Sequence, residues 1–219
     1  ALLTLGRVRG IARPAIATIY PSVDGRETML LDIGANADCR AAHLVQFAFM
    51  GALFAGAVLG LPRPRVGLLN VGAEELKGHD VVRGAHAALR ALEGAPFEYA
   101  GFIEGNDIAA GVVDVVVTDG FTGNVALKTI EGTSRLYSDF LRKAFRSSWL
   151  ARLGYLLARP ALNKLRARVD PRRYNGAVFL GLNGVVVKAH GGSDALAFAS
   201  AIGVALDMVQ HGFMEHVRE

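Results

Sequence analysis

The sequence predicts an α/β protein in three layers, with a mostly parallel sheet covered by helices on both faces and an amphipathic helical element protruding from it. Three observations predict it. Short runs rich in β-branched residues alternate with longer helical patterns. Several of these runs end in turns of Gly, Asn or Asp that lead straight into a helix. The chain has 219 residues, enough to bury one substantial core. Alternation of this kind marks βαβ units, because parallel strands need helical crossovers.

Strands are expected at residues 15–20, 29–33, 66–71, 98–103, 113–118, 178–182 and 185–188, each short, apolar and bounded by turn residues. Helices are expected at 41–59, 81–92, 125–145 and 194–217. The first of these is long and almost uncharged. His43, Gln46 and its glycines make it a packed core helix rather than a membrane span. Leu2, Leu3 and Leu5 look like the middle of an apolar helix, and no Met opens the chain. The chain is therefore expected to lack an N-terminal part of its parent. No repeat, low-complexity tract or linker divides it, so residues 1–219 read as a single α/β region.

Charge is uneven. The net charge is +4, yet residues 142–173 hold ten Lys and Arg against one acid, +9 in all, which leaves −5 for the remainder. Within that segment Trp149, Leu150, Leu153, Leu156 and Leu157 fall near helical spacing, with Arg146, Arg152 and Arg159 between them. Leu162, Leu165 and Val169 continue beyond Pro160, beside Lys164, Arg166 and Arg168. Two short amphipathic helices joined at the proline are expected, forming a basic insertion over 142–173. Such a face suits an anionic membrane surface or an acidic protein. Its plainer reading is a hairpin packed on a second subunit with solvated charges. No interleaved aromatic pattern or binding motif points to nucleic acid.

The chemistry gathers at strand ends. Residues 29–33 run into Asn36 and Asp38; 66–71 into Gly72, Glu74 and Lys77; 113–118 into Asp119, Gly120, Thr122, Gly123 and Asn124; 185–188 into His190, Ser193 and Asp194. Ligands of open α/β sheets sit at the carboxyl ends of strands, so four such turns suggest one shared cleft. In the third, Asn124 is expected to cap a helix starting at Val125, behind a glycine turn whose free N–H groups suit phosphate or carboxylate. A plain βα turn is the alternative. The Gly-Lys-Ser/Thr ending of an ATP-binding loop is missing. The single cysteine, Cys39, gives no disulfide or cysteine metal cluster, and nothing beside it lowers its pKa, so it reads as packing. The aspartates Asp32, Asp38, Asp114 and Asp119 are not spaced to compel a metal. No cofactor is expected.

Four segments carry a resemblance: Leu30-Leu-Asp-Ile-Gly-Ala-Asn-Ala-Asp38, Arg65-Val-Gly-Leu-Leu-Asn-Val-Gly72, Val115-Val-Val-Thr-Asp-Gly-Phe-Thr-Gly-Asn-Val-Ala-Leu-Lys-Thr-Ile-Glu-Gly132 and Val187-Lys-Ala-His-Gly191. Over essentially the whole chain they resemble the PlsX family of phosphate acyltransferases of bacterial phospholipid synthesis. The resemblance implies a phosphotransacetylase/isocitrate-dehydrogenase-like fold. It implies that acyl-[acyl carrier protein] and inorganic phosphate are converted to acyl phosphate and free carrier protein. A homodimer, a cytoplasmic location with attachment to the inner face of the cell membrane, and delivery of product to a membrane acyltransferase are implied as well. The family's N-terminal Asp-Ala-Met-Gly-Gly-Asp and Ser-Ala-Gly-Asn-Thr-Gly turns are not in this chain, and Ala73 stands where the family usually has Thr.

Phosphate attacking a thioester needs no enzyme nucleophile, only a site that holds a polyanion beside the carbonyl and stabilises an oxyanion. Lys77 is a suitable point charge, and the family's corresponding lysine looks catalytic; a solvated loop lysine is the alternative. Asn124 either caps its helix or donates to the oxyanion, and His190 either protonates the leaving thiolate or is structural. Thr122 and Gly123 would contact phosphate, with Asn36, Asn70, Gly72, Asp119 and Gly120 in the same cleft. Asp38 would repel phosphate and so orients a lysine or caps the helix at Ala41. Ser193 reads as an N-cap. Lys128 either reaches back to the cleft or pairs with Glu131. Arg146, Trp149, Leu153, Arg159, Lys164 and Arg168 form the expected membrane or carrier-protein contact. A small-acyl coenzyme A phosphotransacylase, or a non-catalytic binding fragment, are the competing readings.

Overall fold

The computed structural model describes residues 1–170 and 176–218. All seven expected strands are present: β1 (Ala15–Pro21), β2 (Glu27–Leu31), β3 (Arg65–Leu69), β4 (Glu98–Ile103), β5 (Val115–Val117), β6 (Ala177–Leu180) and β7 (Val186–Lys188). They form a single sheet in the order β4-β3-β5-β2-β1-β6-β7. The sheet is mixed rather than mostly parallel. Strands β4, β3, β5 and β2 are parallel, while β1, β6 and β7 each run antiparallel to the preceding neighbour. The departure follows from short connections. β1 and β2 are joined by a tight turn at residues 22–26, which only antiparallel strands can share.

Helices cover both faces. On one, α2 (Ala41–Leu59), α3 (Asp80–Arg90), α7 (Ala195–Gln210) and α8 (Phe213–Arg218) pack on Met29 and Leu31 of β2 and Val115 and Val117 of β5. On the other, α4 (Gly105–Ala110) and the start of α5 (Gly120–Arg146) pack on Leu30 and Val116, the residues between them. That period-two alternation makes three layers. The apolar helix α2 is the core helix: Leu44, Phe47, Phe54 and Ala55 are buried against the sheet. The N-terminal leucines form only a four-residue helix, α1 (Leu2–Leu5), with no buried residue.

Three helix boundaries differ from expectation, each for a local reason. α5 starts at Gly120, not Val125, because Asp119 is its cap. The expected helix over 194–217 breaks into α7 and α8 at Gly212, whose φ is +60°, and its cap is Asp194 rather than Ser193. Pro160 does not separate two helices. It lies inside a single α6 (Trp149–Val169), and the break falls earlier, at Ser147 and Ser148. Pro160 removes one N–H bond to the turn before it, on an arm exposed enough for water to serve that carbonyl.

The two long helices form the arm. α5 descends across the sheet from the carboxyl end of β5, and Ala126, Leu127 and Ile130 are its last residues packed on the body. From Gly132 to Arg146 it is exposed apart from Phe145, which packs edge-on against Tyr155 of α6. At 1.5 Å per residue that stretch overhangs the body by about 22 Å. α6 returns, and Arg168 near its end lies against Gly25 in the β1–β2 turn. The arm therefore leaves the body at the end of the sheet opposite the strand ends that carry the candidate chemistry. Arg172 and Arg173 of the expected basic segment lie outside the described residues.

Candidate active site

β2, β3 and β5 are parallel neighbours, so their carboxyl ends open on one side of the sheet. This brings together the loop after β2, the loop carrying Lys77 and the start of α5. The fourth expected turn is not there. β7 is separated from β2 by β1 and β6 and runs the other way, so His190 lies roughly 14 Å across the sheet and towards its opposite edge. The sequence shows that β7 ends in a polar turn, but not which way the strand points. His190 instead shapes its own turn, accepting from the Gly192 N–H (3.2 Å) and, through its carbonyl, from the Ser193 hydroxyl (2.5 Å).

The loop after β2 is organised by Asp32, which is fully buried. Its Oδ1 accepts from the N–H groups of Ile16 (3.1 Å), Gly34 (3.0 Å) and Ala35 (2.9 Å). Its Oδ2 accepts from the N–H and side-chain amide of Asn36, at 2.9 and 2.8 Å. The amides that would form an anion cradle in this turn are thus filled by the protein's own carboxylate. The Asn36 amide also donates to Pro14 O (2.8 Å). Among the described residues, Asp38 neither caps α2 nor meets a lysine. Its carbonyl accepts from Arg13 (3.0 Å), while His43 caps α2 by accepting from the Arg40 N–H (3.1 Å). Burial, and then Arg13 and Arg40, hold buried His43 below the ordinary histidine value of 6.5.

The start of α5 fits against this loop backbone to backbone. Gly120 N–H donates to Asn36 O (2.7 Å), and a Cβ on Gly120 would stand 2.8 Å from that same peptide. A Cβ on Gly123 would overlap the carbonyl oxygen of Asp32. These glycines therefore serve close approach of backbone to backbone, where a glycine turn presenting free N–H groups was expected. Asp119 accepts from both the Thr122 N–H and the Thr122 hydroxyl, each at 2.8 Å, so both donors of Thr122, a residue expected to contact phosphate, are engaged. Asn124 is not the cap. Its amide donates to Ile33 O (3.0 Å) and fastens the first turn of α5 to the β2 loop. Lys128 pairs with Glu131 at 2.9 Å, the surface alternative.

Asn70, at the end of β3, fastens the third loop. Its amide donates to Gly72 O (3.2 Å) and Lys77 O (3.1 Å). The Lys77 stem lies over Gly72, where any Cβ would overlap it. Its ammonium meets Glu74 at 2.8 Å and remains half exposed, and that hydrogen bond and charge raise its pKa. Lys77 is therefore a fixed positive charge at neutral pH. Cys39 lies where the β2 loop meets the start of α5, and burial, with Asp119 and Asp32 nearby, pushes its thiol up to about 11. A thiol so placed is a poor nucleophile.

The chain matches the fatty acid synthesis protein family over residues 1–216. It belongs to that family. Curated relatives named phosphate acyltransferase include one from Rhodospirillum centenum, 61% identical over 219 residues and covering 100% of this chain and 61% of the relative. Another, from Paramagnetospirillum magneticum, is 60% identical over 210 residues, covering 96% of this chain and 59% of the relative. The chain thus spans about 60% of the length of these members. Among solved structures, a branched-chain phosphotransacylase from Enterococcus faecalis V583 superposes with a TM-score of 0.59 at 14% identity, covering 95% of this chain and 67% of that one. That likeness shows the fold, and the family resemblance read from the four motifs is borne out.

Two residues central to this geometry were missed from sequence. Asp32 had a signal: an acid closing an apolar strand ahead of Gly-Ala-Asn is placed to accept from the next amides. Arg83 had none, because its partners are carbonyls in a loop that only the fold brings near.

Proposed function

We propose that the protein is an acyl-[acyl carrier protein]:phosphate acyltransferase, and that this chain supplies the part of its cleft formed by β2, β3 and β5. The supporting observation is Lys77, a protonated ammonium on a fastened loop at converging strand ends, within a family whose members at about 60% identity are named phosphate acyltransferase. A phosphate oxygen attacks the thioester carbonyl carbon, and the C=O pair moves onto oxygen. Collapse of the oxyanion breaks the C–S bond, and the proton of hydrogen phosphate ends on the carrier thiol. Lys77 opposes the negative charge of phosphate and oxyanion. The raised thiol of Cys39 favours this direct displacement over an acyl-cysteine route. The asparagines act one step back, as staples that hold the loops in register.

The test is acyl-phosphate formation from palmitoyl-[acyl carrier protein] and phosphate by the intact protein, with Lys77→Met alongside. Loss of a charge facing the developing oxyanion is expected to lower kcat by about 10²-fold. Full activity in the variant would remove Lys77 from the chemistry. Preference for a short-chain coenzyme A thioester would transfer the reading to a small-acyl phosphotransacylase.

The arm supports peripheral membrane attachment. Trp149, 73% exposed, and Leu150, 61% exposed, stand at its tip beside Arg146 and Arg152. Arg168 lies about 28 Å away at the base, so the expected contact set is not one patch. A tip remote from the cleft suits an anionic lipid surface better than a carrier protein delivering its thioester. The exposed flank along Leu156 and Leu165 suits the same arm of a second copy, giving a homodimer. Attachment would then hold the protein close to the membrane acyltransferase that takes up acyl phosphate. Trp149→Ser with Leu150→Ser is expected to lower co-sedimentation with phosphatidylglycerol vesicles about tenfold, and unchanged binding would discard the tip as the contact.

A further inference from the structure

We propose that Arg83, on α3, is a positioning residue for Lys77. The Arg83 Nη1 donates to the carbonyls of Leu76 and Gly78, both at 3.2 Å, which belong to the two residues on either side of Lys77. From the other side the Asn70 amide holds the carbonyls of Gly72 and Lys77 itself. The Lys77 backbone is therefore clamped between the end of β3 and the first turns of α3. α3 is a firm anchor, with Ala85 and Leu89 buried in the core. Arg83 is also fixed in orientation, because its Nη2 pairs with Asp80 at the start of the same helix.

This geometry makes Arg83 act through the loop rather than on the substrate. Its Nη1 is directed at backbone carbonyls and its Nη2 at a carboxylate. Lysine carries its charge on a flexible four-carbon stem, so the ammonium is only as well placed as the backbone beneath it. Lys77 is half exposed, and its one ion pair among the described residues is to Glu74 in the same loop, so that pair does not tie it to the rest of the fold. Arg83 and Asn70 supply the link to the fold. Arginine is required because one planar guanidinium can span two carbonyls while gripping a carboxylate, which an ammonium on a shorter reach cannot reproduce.

The inference rests on Lys77 handling phosphate, and the experiment separates the two. Steady-state rates with palmitoyl-[acyl carrier protein] and phosphate are measured for the intact protein, Lys77→Met, Arg83→Met, Arg83→Lys and the double variant Lys77→Met/Arg83→Met, each with its thermal unfolding. Misplacing a catalytic charge by about 1 Å lowers rates by up to about 10²-fold, so Arg83→Met is expected to lower kcat/KM for phosphate about 10–100-fold with the KM for palmitoyl-[acyl carrier protein] unchanged. Arg83→Lys should fall with it, added guanidinium should restore part of the Arg83→Met rate, and Arg83→Met should add nothing in the Lys77→Met background. A crippled Lys77→Met beside a normal Arg83→Met overturns the positioning role alone. Additive losses overturn it too, because Arg83 would then act independently of Lys77. A fully active Lys77→Met overturns the site reading and this inference together. Should Arg83→Met unfold below assay temperature, Arg83→Lys decides: normal kcat in that folded variant overturns the proposal.

Discussion

Asp32→Ala is expected to destabilise the protein by about 4 kcal/mol in urea unfolding at pH 7. Removing the carboxylate strands four backbone N–H groups and the Asn36 amide, and each unmade bond at a buried donor costs about 1–3 kcal/mol. Water entering the vacated space would recover part of the loss. Asp32→Asn keeps the shape but turns an NH2 towards donors, so it should fall between alanine and wild type, at about 2 kcal/mol. The two variants together separate charge and acceptor count from volume. A loss below about 1 kcal/mol for Asp32→Ala would mean that the loop amides find other partners at little cost, and that Asp32 does not organise this turn.

Gly123→Ala is expected to destabilise by about 3 kcal/mol or more and to lower activity with it. The added Cβ meets a backbone oxygen, that of Asp32, which no rotamer change can move. Relief requires lifting the first turn of α5, which pulls on Gly120–Asn36 and Asn124–Ile33 together. Gly132→Ala in the same helix is the control. Nothing lies within 4 Å of its Cβ position, so it should instead stabilise by about 0.5–1 kcal/mol through helix propensity. Equal effects at the two positions would mean that the α5–β2 contact gives way easily.

Much of the fold was legible because its signals are local. Every strand was a bounded apolar run, and α2 was bounded correctly at Ala41–Leu59. Strand direction was not local. The polar turn at His190 looks like the other three until the antiparallel path β2-β1-β6-β7 reverses it. Helix starts failed for a related reason. Gly120 and Gly123 are poor helix formers, and only the neighbouring loop shows why helix is imposed there: a larger residue would collide. The site residue types were legible, but their tasks were not. Asn36, Asn70 and Asn124 all face carbonyls of adjacent loops, and an asparagine that staples a loop reads in sequence like one that meets a ligand.

α5 is a cantilever. About 16 Å of its length is seated on the sheet and about 22 Å is unsupported by the body. A sideways load at the tip is therefore magnified where the helix is fastened, at Gly120 and Gly123 against the β2 loop. Side chains there would yield by changing rotamer, whereas peptide pressed on peptide has almost no give. These two glycines are the stiffest part of the mounting, and they let a long exposed beam be loaded at its far end while the strand-end loops at its root stay in place.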